Sequence, residues 1–149
     1  MLSFKKSALA LAATLAIPMF ASAPAMAAVS VNCNAGTLSG LYTYHINGFN
    51  IVGGVSVPTS SAGYSFYNAD GTSQGRVTTL TQVKGKTVTT SGTFMATYKV
   101  TANCTVKEID KDEHGALTHY DEFTTPTGNT LQFIETDQGV VASGVATRD

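Results

Sequence analysis

VTTSGTFMATYKV, residues 88–100, alternates almost without a break over its thirteen residues. Val88, Thr90, Gly92, Phe94, Ala96, Tyr98 and Val100 fall on one face. Thr89, Ser91, Thr93, Thr97 and Lys99 fall on the other, with Met95 as the single apolar exception. Successive side chains of a strand point to opposite faces, so a period of two over this length reads as a strand with one buried face. Beyond residue 27 no long window shows the 3.6-residue recurrence of a helix. Threonine, β-branched and suited to strands, is frequent throughout.

Working outward from that strand, turn signals divide the chain into eight strands. The first is Leu38–Phe49, with Leu38, Tyr42, Tyr44 and Ile46 on one face. A loop through Gly53-Gly54 and Pro58 follows, carrying a short extended piece at Val55–Val57. The second is Gly63–Tyr67, ended by Asn68-Ala69-Asp70-Gly71, where Asp-Gly readily takes a positive φ. Gly75–Val83 is the third, turned by Lys84-Gly85-Lys86 into the strand quoted above. Cys104–Ile109, Ala116–Thr124, Thr130–Thr136 and Val140–Thr147 complete the series. The charged run Asp110–Gly115 reads as a solvated loop, and Asp137-Gln138-Gly139 as the last turn. Strands joined in order by short turns make a meander, either an open sandwich or a barrel. Closure removes the unpaired edges of an open sheet. The expected fold is therefore all-β, an eight-stranded antiparallel up-and-down barrel in which the last strand closes against the first. Such a barrel encloses room for side chains or for one small ligand.

Residues 1–27 stand apart. Lys5 and Lys6 precede an Ala/Leu-rich run, Ser7–Ala21, and Ala25-Met26-Ala27 offers small residues for cleavage. This is the pattern of a secretory signal peptide, with an apolar run shorter than a membrane span needs. The expected product is one domain, residues 28–149, exported to the periplasm or beyond the cell, with no membrane span. Its only cysteines are Cys33 and Cys104, an even count that favours a disulfide in an oxidising compartment. All ten Asp/Glu side chains and all but two of the nine Lys/Arg lie in it, so it is mildly acidic. No basic face is dense enough to follow a phosphate backbone, so a nucleic-acid partner is not expected.

Two phrases, YKVTANCTV (98–106) and LQFIETDQGVVASGVATR (131–148), are familiar. The chain resembles a family of small exported bacterial proteins with a lipocalin-like, calycin-type β-barrel. That family's pattern has a Gly-x-Tyr strand opening, an Asp/Asn-Gly hairpin, a Tyr-x-Val-x-x-x-Cys-Thr corner and a terminal phrase near Phe-Ile-x-Thr-Asp-x-Gly-x-Val-x-Ser-Gly. Gly40–Tyr42, Asp70-Gly71, Tyr98–Thr105 and Phe133–Gly144 match it here, across nearly all of the exported part. The Gly40-Leu41-Tyr42 opening and the charged, His-bearing loop 110–115 depart from it. The resemblance implies a barrel and an exported location, and carries no reaction. A small apolar ligand is analogy at the level of fold.

The interior is where a ligand is expected. Tyr42, Tyr44, Tyr64, Phe66, Phe94, Tyr98, Phe123 and Phe133 are read as inward aromatics, and a buried phenol needs a hydrogen-bond partner. On the sixth strand Leu117, His119, Asp121 and Phe123 share a face, and on the seventh Leu131, Phe133 and Glu135 do. If these faces look inward, His119, Asp121 and Glu135 enter the barrel together. A register one residue off sends them out, and Tyr120 could then claim the core. No metal site or cofactor is expected: the three histidines lack ligand spacing, and the acidic residues near 110–122 read as a solvated loop. There is no nucleophile elbow, and the one candidate acid–base pair is His119 with Asp121. The reading that follows is an exported barrel binding a small, largely apolar ligand in an aromatic interior. The alternative is an interaction protein, such as a protease or lysozyme inhibitor, acting through Asn50–Ala62 or Asp110–Gly115. A cyclase- or isomerase-like enzyme ranks third.

Overall fold

The computed structural model describes residues 32–149. The expected signal peptide lies outside the described residues. A 3-10 turn, Ala35–Leu38, leads into eight strands. They are β1 (Gly40–Val52), β2 (Val55–Tyr67), β3 (Thr72–Val83), β4 (Lys86–Val100), β5 (Thr105–Asp112), β6 (Leu117–Thr124), β7 (Thr130–Glu135) and β8 (Val140–Arg148). Each pairs antiparallel with the next, and β8 returns to β1 from Arg148 opposite Tyr42 to Val140 opposite Asn50. The sheet is a closed up-and-down barrel, as the alternation predicts.

One segment departs from the expected loop. Only Gly53 and Gly54 turn the chain, both at positive φ, and β2 then runs unbroken from Val55. Pro58 is tolerated within it because β2 has no partner on its β3 side until Thr59. The β1–β2 hairpin therefore overshoots its neighbours, by Val55–Pro58 on the β3 side and by its tip on the β8 side. Strands β1–β4 have 12 to 15 residues, whereas β5–β8 have 6 to 9.

The two ends of the barrel differ. At one end the disulfide Cys33–Cys104 ties the incoming chain to the β4–β5 corner. Asn34 then caps the 3-10 turn, accepting from the Gly36 amide at 2.9 Å, and Leu38 enters the barrel fully buried. Beneath Leu38 sit Tyr42, Tyr67, Tyr98, Val106, Leu131 and Ala146. Tyr42 meets Tyr67, and Tyr67 meets Tyr98, each edge to face at 5.1 Å between centroids, the favoured geometry for aromatic pairs. Every one of these phenols has a partner: Tyr42 donates to the Gly128 carbonyl, Tyr98 to those of Ala35 and Asn68, and Tyr67 to Glu108. This end is plugged by packed side chains. Farther up, inward glycines make room for rings. A Cβ at Gly75 would stand 2.4 Å from Phe94, and one at Gly144 would stand 2.5 Å from Phe133.

Candidate functional site

The other end is open. Inside the rim is a cup of about 470 Å³, a volume usual for small-molecule sites. Its walls carry hydroxyls from Thr59, Ser61, Thr79, Thr90, Thr93 and Thr118, and carboxyls from Asp110, Asp112, Glu113 and Glu135. Among the described residues that line it there is no Lys or Arg. Tyr44, Phe94 and Tyr120 form the lower wall. Below them is a cavity of about 30 Å³, bounded by Ser65, Tyr67, Glu108, Glu122 and Phe133, which has room for about one water-sized group. Tyr120 packs on Phe133 at 5.6 Å and Tyr44 on Phe133 at 6.4 Å, both edge to face.

The floor is acidic. Alternation along β5 turns Val106, Glu108 and Asp110 inward, and along β6 it turns Tyr120 and Glu122 inward. Glu108 is 3% exposed and accepts from the Tyr67 hydroxyl at 2.7 Å and the Ser73 hydroxyl at 2.9 Å. Its carboxyl also meets those of Asp110 and Glu122. Burial raises the affinity of all three for protons. Asp110 is pushed up to about 9, first by burial and then by the charge of Glu108. Glu122 goes well above the ordinary carboxylate range for the same two reasons, with Asp110 adding to them. Glu108 is raised by burial but eased back by the hydroxyls of Tyr67 and Ser73. All three are raised, Glu108 against the pull of those hydroxyls, so the cluster takes up and releases protons as one set that favours the bound proton. Three polar atoms here have no partner: Ser65 Oγ, Asp110 Oδ1 and Glu122 Oε2.

The structure sorts the expected site residues into three groups. Tyr44, Phe94, Phe133 and Glu135 line the cup or its floor. Tyr42 and Tyr98 are interior but belong to the plugged end. Tyr64, Phe66, His119 and Asp121 do not enter the barrel, and this corrects the expected register of β2 and β6. Tyr64 and Phe66 are 46% and 44% exposed, and Phe123 is 57% exposed. Ser65 and Tyr67 take the inner face of β2 instead, and Thr118, Tyr120 and Glu122 that of β6. The His119–Asp121 pair is not formed. His119 Nδ1 lies 2.7 Å from Asp137 Oδ1 on the outer surface, and Asp121 pairs with Lys107. Asp110, expected in a solvated loop, is on the inner face of β5.

Sequence reasoning missed Glu108, Asp110 and Glu122 as interior groups, and held Tyr120 only as the alternative phase of β6. A signal for β5 was available. Cys104, buried through its disulfide, sets the inward phase, and Val106, Glu108 and Asp110 follow at intervals of two. Cross-strand pairing then places Tyr120 opposite Glu108. Among the described residues no group of three or more His, Cys, Asp or Glu side chains is arranged to hold a metal ion, and no helix is long and apolar enough to cross a membrane. No protein-family model, curated protein or solved structure matches the chain.

Proposed function

We propose that this chain is an exported carrier or sensor that binds one small molecule in the open half of its barrel. The observation that carries the reading is the cup itself. It is open at one end and narrows between Tyr44, Phe94 and Tyr120 onto buried polar atoms that the protein leaves unpartnered. A filled barrel would pair such atoms or replace them with apolar groups, because a buried polar group without a hydrogen bond costs about 1–3 kcal/mol. The ligand that fits has an apolar ring to lie against the aromatic wall and a polar end to reach the floor. The disulfide, the leader and the resemblance to exported lipocalin-like barrels support the location.

Native mass spectrometry of the protein purified gently from its own cells tests this. The expected result is a discrete mass excess that disappears on denaturation. A bare mass, together with unchanged NMR signals of Tyr44, Phe94 and Tyr120 across a small-molecule screen, would overturn it.

A second reading, an interaction protein, is favoured by one observation. Phe49, Ile51, Val52 and Val55 are 45–63% exposed together at the β1–β2 tip. In that reading a Val52→Asp, Val55→Asp variant keeps its fold and loses its protein partner, whereas in the first reading it keeps its ligand.

A further inference from the structure

We propose that the interior carboxyl cluster is a recognition site for a small organic cation, an ammonium head on an aromatic or aliphatic body, which enters through the cup and seats its charge between Glu122, Asp110 and Ser65. The inference rests on the binding reading above and deepens it to a ligand class.

The argument starts from charge. Glu108, Asp110 and Glu122 converge in one small cavity, and among the described residues that line it none is Lys, Arg or His. The partly buried guanidinium of Arg148 is committed at the plugged end to Tyr42 and to the carbonyls of Thr37 and Thr127. A carboxylate here has no cationic side chain to balance it, so the fold keeps these groups protonated until a cation arrives. The second line is geometric and independent of charge. Ser65 and Glu122 are 4% and 3% exposed, line the cavity, and each leaves an oxygen without a partner. Three acceptors, Ser65 Oγ, Asp110 Oδ1 and Glu122 Oε2, match the three N–H donors of a primary ammonium. Aromatic rings surround the entry, and a cation is attracted to the ring faces of Tyr44 and Tyr120. Finally, the mouth carries Asp112, Glu113 and Glu135 against one basic side chain, His114, with no Lys or Arg among its described lining, an acidic excess that draws cations inward.

Binding is coupled to protons. From β5 the cluster is faced by Glu108 and Asp110, from β6 by Tyr120 and Glu122, from β1 by Tyr44 and from β2 by Tyr67. β7 adds Glu135 at the cup, and the β5–β6 end adds Asp112, Glu113 and His114 there, while β4 and β8 present only Phe94 and Ala146 to the cavity, and Ser73 of β3 donates to Glu108. Burial keeps protons on Asp110 and Glu122 in the free protein. An arriving ammonium stabilises the carboxylate form, so a proton leaves as the cation seats. Affinity for the ammonium therefore rises with pH until the amine itself loses its proton.

Three shape-matched probes test this by isothermal titration of the intact protein: 2-phenylethylammonium, neutral 2-phenylethanol and anionic 3-phenylpropionate. The ammonium is expected to bind at least about tenfold tighter than the alcohol, the size of one charge-assisted hydrogen bond. Titration in two buffers of different ionisation enthalpy is expected to show proton release. Glu122→Gln removes the preference for the ammonium. Ser65→Ala deletes a hydroxyl that bonds nothing in the free protein, so it leaves the fold intact if Glu122→Gln does not. It weakens ammonium binding alone, by about threefold to tenfold. Equal or better binding of the alcohol or the propionate would overturn the cation assignment and leave the binding reading standing. If none of the three binds, the cation assignment falls, and the binding reading falls with it when the native mass is also bare.

Discussion

Arg148 reaches back across the closing seam to Tyr42, with Nε 3.1 Å and Nη2 2.8 Å from the phenol oxygen. The two residues are opposite one another in the β1–β8 register, and the guanidinium carbon lies 5.3 Å from the ring centre. The same side chain donates to the carbonyl of Thr37 in the 3-10 turn and to that of Thr127 between β6 and β7. One planar cation thus joins both seam strands to the plug.

Arg148→Met should therefore destabilise the barrel by about 2–3 kcal/mol, because carbonyls of the plug and a buried phenol lose charge-assisted bonds. Arg148→Lys should recover only part of this, since a point charge cannot fork between them. Urea unfolding followed by far-UV circular dichroism measures both. Unchanged midpoints would mean that strand pairing alone holds the seam.

The register of β2 can be tested by neighbouring substitutions. Phe66 is half exposed, so Phe66→Ser should cost less than about 1 kcal/mol. Tyr67 is 5% exposed and bonds Glu108, so Tyr67→Phe should cost about 1–3 kcal/mol by stranding a buried carboxyl oxygen. The reverse ranking would put β2 one residue out.

Stability should fall as pH rises. Burial holds Asp110 up to about 9 in the folded state, above the ordinary carboxylate range it has when unfolded. The unfolded chain therefore gives up this proton first. The stabilising contribution is full in acid and is lost as pH rises from the ordinary carboxylate range to about 9. Asp110→Asn should flatten the profile and gain about 1–3 kcal/mol at mildly alkaline pH, with little change in acid. Thermal melts across pH check this, and a native protein more stable in alkali would refute it.

Reduction of Cys33–Cys104 frees a loop closed over a sequence separation of 71, worth about 4 kcal/mol in the chain-entropy model. Melting with and without reductant should differ accordingly, and Cys33→Ser should behave like the reduced protein.

The fold was legible because alternation and turns are local. Residues 88–100 name a strand on their own, and short connections force neighbours to pair. The faces of β4 and β7 were legible too, since one phase of each is richer in large apolar groups, as is one phase of β1 over Tyr42–Ile46. β2 and β6 were not. In Gly63–Tyr67 each phase holds an aromatic, Tyr64 and Phe66 against Tyr67. The interior took the phase with Gly63 and Ser65, because bulky rings from β1 and β4 already fill the space and small neighbours must make room. On β6 both phases carry an acid and an aromatic, so hydrophobicity could not choose between them. The carboxyl cluster is a contact between strands, and it became visible only with the register that pairs Glu108 with Tyr120.

The unequal strand lengths have a mechanical consequence. Above Phe94, which faces Asp112, β4 continues to Lys86 with no strand partner on its β5 side, and β2 lacks its β3 partner below Thr59. The collar around the mouth is therefore split, while the base is stapled by a disulfide and an arginine fork. Amides on such unsupported staves open locally at low cost, and those of the plugged base open only when the whole barrel does. The rim can flex to admit a guest while the carboxyls that would greet it stay fixed. The stiffness of the molecule grades along its axis, from compliant lip to rigid floor.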